Sequence, residues 1–283
     1  MISNDLRTEV LTEALPYMQA FNGKTVVIKY GGNAMNDAAM VAKLLNDVVW
    51  LRCAGVRPVL VHGGGPEINA LLEKLGIESI FHNGLRATDA ATMDAVAMAL
   101  GRLNKDISGK LCALGGQAIG LCGQDSGLMQ CKKRDEELGF VGDIVSVNTL
   151  LLQTLLDNAY IPVIAPIGVG AMGEAYNINA DTAASEIAVA LKAEKLIFLT
   201  DIDGVRADCD DAATLIPSLS LAEARGMISS GAIDGGMIPK VESCAAAVEN
   251  GVKRVHIVSG MVPHAIILEM LTDRGVGTMF FAA

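Results

Sequence analysis

Residues 25–32 read Thr25-Val26-Val27-Ile28-Lys29-Tyr30-Gly31-Gly32, and residues 58–65 repeat the pattern as Pro58-Val59-Leu60-Val61-His62-Gly63-Gly64-Gly65. Each is a short apolar run, rich in β-branched residues, that ends in glycines, the pattern of a buried strand leading into a turn. Glycines at a strand end let backbone N–H groups approach an anion with no Cβ in the way. The residues between the two runs carry a helical pattern, so both turns lie at the carboxyl edge of one parallel sheet, where α/β proteins bind ligands. Lys29 adds a positive charge to that edge. The two runs predict an α/β fold and a site for oxyanions.

The same alternation continues outward. Helices are expected at 37–54, 66–75 (Pro66 in the first turn), 89–114, 148–157, 181–193, 220–230, 239–250 and 263–273. Strands are expected at 118–122, 161–166, 195–200, 254–258 and 277–281. Residues 124–147 read as an irregular β-excursion around the mixed-charge run Lys132-Lys133-Arg134-Asp135-Glu136-Glu137, a solvated turn. The expected architecture is a three-layer sandwich around a mostly parallel central sheet shared by two lobes. Residues 1–24 carry an N-terminal helix, a candidate for oligomerisation, in which Leu6, Val10, Leu11, Ala14 and Leu15 share a face and Pro16 introduces a kink. That face must pack on a second copy or on the chain's own domain. One lobe spans 25–180 and the other 181–283, divided where Tyr176-Asn177-Ile178-Asn179-Ala180-Asp181 breaks the rhythm.

With 283 residues, 51% of them hydrophobic and only 19% charged, the chain can bury a large core of aliphatic side chains. A net charge of −10 argues against a nucleic-acid partner or an anionic membrane. The six cysteines (Cys53, Cys112, Cys122, Cys131, Cys209, Cys244) contain no CxxC pair, and no basic-then-apolar leader precedes them. Both features point to reduced thiols and a cytoplasmic protein. The apolar stretch 144–173 has one charge, Asp157, but Asn158, Pro162 and Pro166 divide it, so it is not a membrane span. The four histidines are scattered singly, and no metal site from protein side chains is expected.

Two nucleotide signatures fail on context. Gly23-Lys24-Thr25 ends like a P-loop, but Met18 replaces the first glycine and the segment precedes a strand. Gly168-Val169-Gly170-Ala171-Met172-Gly173 fits GxGxxG, yet the next convincing helix starts only near Asp181, too late to bring its N-terminus to a pyrophosphate.

The remaining polar groups fall at successive strand ends. They are Lys29, Arg86 after Asn83-Gly84-Leu85, Asn177, Asn179, Asp181, the run Asp201-Ile202-Asp203-Gly204, and Lys240 after Asp234-Gly235-Gly236-Met237. With Val27 to Met35 and His62-Gly63-Gly64-Gly65-Pro66, they make the chain resemble the amino acid kinase family along nearly its whole length, and its acetylglutamate branch in the Asn-Gly-Leu-Arg and Asn-x-Asn-Ala-Asp segments.

That resemblance implies transfer of the ATP γ-phosphoryl to the side-chain carboxylate of N-acetyl-L-glutamate, with Mg²⁺ held mainly by phosphates and water. Lys29, Lys240 and Asp181 are the implied catalytic residues. Gly31, Gly32, Gly64, Gly65, Arg86, Asn177 and Asn179 would bind substrate in the first lobe. Asp201, Asp203, Gly204, Gly235, Gly236 and Met237 would bind the nucleotide in the second. The C-terminal runs 264–269 and 275–279, with the N-terminal helix, resemble arginine-inhibited members that form dimers joined into hexamers; Tyr17, His264, Glu269 and Gly275 are the implied effector residues. Kinases acting on glutamate, aspartate or carbamate, and an inactive arginine-sensing protein, are the alternatives.

Overall fold

The computed structural model describes residues 3–282 except 33, 34, 36, 83, 209, 210, 234, 235 and 274. Helix α1 (Asn4–Phe21), capped by Ser3, runs through Pro16 and precedes strand β1 (Thr25–Tyr30). Asp37 then caps α2 (Ala38–Cys53), which returns the chain to β2 (Arg57–His62). Gly64 leads into α3 (Gly65–Leu75), followed by a small hairpin, β3 (Phe81–His82) and β4 (Leu85–Arg86), and by the long α4 (Ala90–Ala113). Next come β5 (Ala118–Cys122), β6 (Met129–Lys133), β7 (Gly142–Val147) and α5 (Thr149–Asp157). Strands β8 (Ile161–Ala165), β9 (Ile167–Val169) and β10 (Ala175–Asn177) lead to α6 (Ala180–Ala190) and β11 (Lys195–Thr200). The chain closes with β12 (Ser218–Ser220), α7 (Leu221–Ser230), α8 (Met237–Glu249), β13 (Arg254–Ser259), α9 (Ala265–Leu271) and β14 (Gly277–Phe281).

The main sheet has eight strands in the order β12-β14-β13-β11-β1-β2-β8-β5, and every pairing is parallel except β13 with β14. Its central strands are buried on both faces, as parallel strands covered by helices must be. Val27, Val59, Val61, Leu196 and Phe198 pack into one core with residues of α6 and α8. Val26, Ile28, Leu60, Ile197 and Leu199 pack into another with residues of α2 and α9. The expected α/β sandwich is therefore what the chain forms.

Two local departures have physical reasons, and the GxGxxG segment lacks a helix as expected. The strand expected at 161–166 divides at Pro166, which has no N–H to continue a ladder, so that β9 joins a second sheet of order β10-β9-β6-β7. The GxGxxG segment is the β9–β10 hairpin turn, closed by Gly170 N–H donating to the Glu174 carbonyl at 2.8 Å, and no helix begins within it. The helix expected at 263–273 begins only at Ala265, because His264 is in the left-handed region (φ 58°).

Candidate active site

The in-register pairing of β1 with β2, Tyr30 opposite His62, sets the two glycine turns side by side. Gly63 N–H donates to the Tyr30 carbonyl at 2.7 Å. A Cβ on Gly31 would stand 2.5 Å from Lys29 Nζ, and one on Gly32, at φ +80°, would stand 2.6 Å from Asp201 Oδ1. At Gly32 the positive φ adds to this close approach and favours glycine, whereas at Gly31 the approach is to the mobile end of the Lys29 side chain.

The lysine on β1 meets an acid from across the chain. Lys29 Nζ lies 2.8 Å from Asp181 Oδ1, with the two side chains 12% and 31% exposed. Asp181 is fixed by its place in the first turn of α6, where Asn179 Oδ1 accepts from the N–H groups of Asp181 (2.8 Å) and Thr182 (3.1 Å). The Asn179 side-chain oxygen is thus engaged as the N-cap of α6. Lys240, one turn into α8, donates from Nζ to Thr200 Oγ1 at 3.2 Å. Lys29, Asp181, Lys240 and Thr200 line one small pocket with Phe198, Ser243, Cys244 and Ile257.

At the neighbouring strand end, α3 starts at Gly64-Gly65 with no side-chain cap, and the Gly65 Cβ direction is open. Uncapped N–H groups at a helix start, with the positive end of its dipole, suit an anion. His62 and Asn104 anchor this loop, and sequence reasoning assigned neither of them a role. His62 Nδ1 lies 2.6 Å from the Gly63 carbonyl, while Asn104 Nδ2 lies 3.2 Å from His62 Nε2 and donates to the Val163 carbonyl at 2.9 Å. Burial pushes the His62 pKa down to about 4, so its ring is neutral at pH 7, with Nδ1–H donating and Nε2 accepting.

Arg86, on β4, is 7% exposed. Its Nη1 donates to Ser79 Oγ and its Nη2 to Asn69 Oδ1, both at 2.7 Å, and its guanidinium stacks 4.6 Å from the Phe81 ring centroid. Asn177, on β10, donates to Thr88 Oγ1 at 3.1 Å, and Thr88 in turn donates to the Arg86 carbonyl at 2.8 Å. This chain of bonds ties the Asn177 amide, through Thr88, to the backbone of Arg86.

On the other side of the pocket, Asp201, Asp203, Gly204 and Met237 line a cleft of about 250 Å³ with Ile202, Val205, Arg206, Ala232 and Ile233. Arg206, not foreseen from sequence, pairs with Asp203 at 2.7 Å. Gly236 precedes α8 without a side-chain cap; Gly235, Asp234, Asn83, Asn33 and Ala34 lie outside the described residues. Among the described residues no group of three or more His, Cys, Asp or Glu is arranged to hold a metal ion.

A second polar cluster lies under the end of α1. The Tyr17 hydroxyl donates to Asp273, and Glu269 takes Val276 N–H (2.8 Å) on one oxygen and His256 Nδ1 (2.6 Å) on the other. A Cβ on Gly275 would stand 2.6 Å from that carboxylate. The buried Lys195 ammonium sits 4.9 Å from the Phe21 ring centroid, and burial lowers its pKa to about 8. Lys195 and His256 were missed, although a buried strand position holding a charged residue is itself a signal. His264 is not part of this cluster: it sits at the other end of α9, its Nδ1 2.6 Å from Asp47 Oδ1.

Residues 24–259 match the sequence profile of the amino acid kinase family. An acetylglutamate kinase from a Nostoc species is 53% identical over 279 residues, covering 98% of this chain and 94% of the relative. Among solved structures, N-acetylglutamate synthase from Neisseria gonorrhoeae in complex with coenzyme A and N-acetyl-glutamate superposes with a TM-score of 0.86 at 27% identity. Its complex with coenzyme A and L-arginine gives 0.82 at 26%. These matches cover 98% of this chain but only 63% and 65% of the synthase chains, which are longer.

Proposed function

The chain belongs to the amino acid kinase family, and on that premise we propose that it phosphorylates N-acetyl-L-glutamate, transferring the γ-phosphoryl of ATP to the side-chain carboxylate. The products are N-acetylglutamyl 5-phosphate and ADP, a step of arginine biosynthesis. The observation that carries this reading is the 53% identity to an acetylglutamate kinase along nearly the whole of both chains.

The site residues suit the chemistry. A carboxylate is already a nucleophile at pH 7, so the reaction needs no general base; the obstacle is repulsion between two anions. Lys29 stabilises the transferring phosphoryl from the acceptor side and Lys240 from the leaving-group side, and Asp181 holds the Lys29 ammonium at its post. The Gly31, Gly32, Gly64 and Gly65 amides line the path between donor and acceptor oxygens. Arg86 takes the substrate α-carboxylate and Asn177 its acetamido or carboxylate group, so residues 25–180 form the acceptor lobe. Residues 181–283 bind the nucleotide through Asp201 to Gly204 and Gly236-Met237. A Mg²⁺ ion, held mainly by the nucleotide phosphates and water, would supply neutralisation of their charge.

Arginine inhibition and a hexamer built from dimers belong to the same proposal. The cluster of Tyr17, Lys195, His256, Glu269 and Gly275 supports it, as do the exposed Leu6, Val10, Leu11 and Leu15 of α1, a face that a second copy would cover. The reading places the enzyme in the cytoplasm; no described helix is long and apolar enough to cross a membrane.

ADP release measured with acetylglutamate, glutamate or aspartate tests the reaction. Turnover that requires the N-acetyl group supports it; turnover with the free amino acids selects the rival kinases, and arginine binding without any turnover selects the sensor.

A further inference from the structure

The two terminal nitrogens of Arg86 are both engaged by neutral acceptors that are themselves joined. Asn69 Oδ1 takes Nη2 and Ser79 Oγ takes Nη1, each at 2.7 Å, and the Ser79 hydroxyl donates to Asn69 Oδ1 at 3.3 Å. Two oxygens side by side across the guanidinium fork is the arrangement that a bidentate carboxylate makes. Among the described residues no acid pairs with this fork, and burial lowers the Arg86 pKa. A buried cation with neutral partners alone is poorly compensated for its lost hydration, and an anion arriving there gains more than the neutral pair supplies.

We infer that Asn69 and Ser79 are a neutral stand-in for the substrate carboxylate, holding the Arg86 fork ready in the free enzyme and giving way when acetylglutamate binds. The inference rests on the reading of Arg86 as the carboxylate-binding residue. Both partners can move. Asn69 is exposed on α3, and Ser79 lies in the irregular segment between α3 and β3.

A contact present only in the free state opposes binding by its own worth. Removing it tightens binding, whereas removing a contact kept in both states leaves affinity unchanged. The net worth of one hydrogen bond corresponds to about two- to tenfold in affinity. The change in helix propensity at position 69 acts equally on free and bound protein and cancels in the comparison.

The test is calorimetric titration of the full-length protein with acetylglutamate, with ATP titrated separately as a control. Asn69→Ala and Ser79→Ala are expected to bind acetylglutamate about two- to tenfold more tightly, with ATP unaffected, and to show a larger ligand-induced rise in Tm than wild type. Asn69→Asp, which fixes a competing carboxylate on the fork, is expected to weaken binding at least tenfold. Unchanged or weaker binding by both alanine variants overturns the stand-in. If Arg86→Ala leaves affinity unchanged, the carboxylate role of Arg86 falls and the inference falls with it. If Arg86→Ala abolishes binding while the alanine variants do not tighten it, only the stand-in fails.

Discussion

The Lys29 ammonium and the Asp181 carboxylate meet at 2.8 Å across the two halves of the chain, tying the end of β1 to the first turn of α6. Neither residue could fix the geometry alone. A lysine side chain is flexible, and the acid is placed by the Asn179 cap, so the capped helix start determines where the charge stands. Removing one fixed donor to a developing charge costs about 10²- to 10³-fold in kcat. Lys29→Ala is therefore expected to lower kcat by that order and to change the KM for acetylglutamate far less, as steady-state kinetics will show. A fully active variant would remove Lys29 from the transition state.

Lys240 reaches the same pocket from α8 and is steadied by Thr200 Oγ1 at the end of β11. Lys240→Ala is expected to match the loss of Lys29→Ala. Thr200→Val removes only the steadying hydrogen bond, worth about 1 kcal/mol, and is expected to lower kcat about fivefold. Equal losses in the threonine and lysine variants would mean that Thr200 acts on the phosphates directly.

How much of this was legible in advance depended on whether a feature was local. The central strands and the helices covering them were readable because apolar periodicity is a property of ten-residue windows. The split at Pro166 was also local, and the proline should have ended the expected strand one residue earlier. The β3–β4 hairpin, each strand two residues long, is too short for an apolar period, and its local signal is the Asn-Gly pair at 83–84. Partnerships were not legible: Asn104 with His62, Asn69 with Arg86, and Glu269 with His256 join residues from separate elements, and spacing along one chain carries no record of them. His264, grouped with Glu269 by the family resemblance, stands at the N-cap position of α9 and meets Asp47.

The neutral, buried His62 makes the fold sensitive to acid. Its pKa is about 4 in the folded protein against an ordinary 6.5. Between these values the unfolded chain holds a proton that the folded chain does not, so stability rises with pH across the window. Stability is therefore lost as pH falls from about 6.5 to about 4, by about 3 kcal/mol in total, and the loss levels off below that. His256, also lowered by burial, acts in the same direction. His62→Gln is expected to flatten the fall of Tm between pH 6.5 and 4; a variant whose Tm follows pH as steeply as wild type would place the acid sensitivity elsewhere.

Helix α1 carries an exposed apolar face at one side and reaches the C-terminal cluster with its end. Its outer face leaves Leu6, Val10, Leu11 and Leu15 exposed, while its inner end presents Tyr17 to Asp273 and Phe21 to Lys195. One helix thus touches both the surface expected to join dimers and the side-chain cluster expected to take arginine. A cationic ligand there would find the Glu269 and Asp273 carboxylates, with the Tyr17 hydroxyl on one of them. Deleting residues 1–20 removes the apolar stripe and Tyr17 together while leaving Phe21 over Lys195. The truncated protein is expected to sediment as a dimer and to show no arginine inhibition, measured as the ratio of rates with and without arginine. Glu269→Gln separates the two roles: it is expected to abolish inhibition while the larger oligomer persists, because it lies away from the exposed stripe. Retained inhibition in the truncated protein, with an unchanged sedimentation coefficient, would show that α1 serves neither purpose.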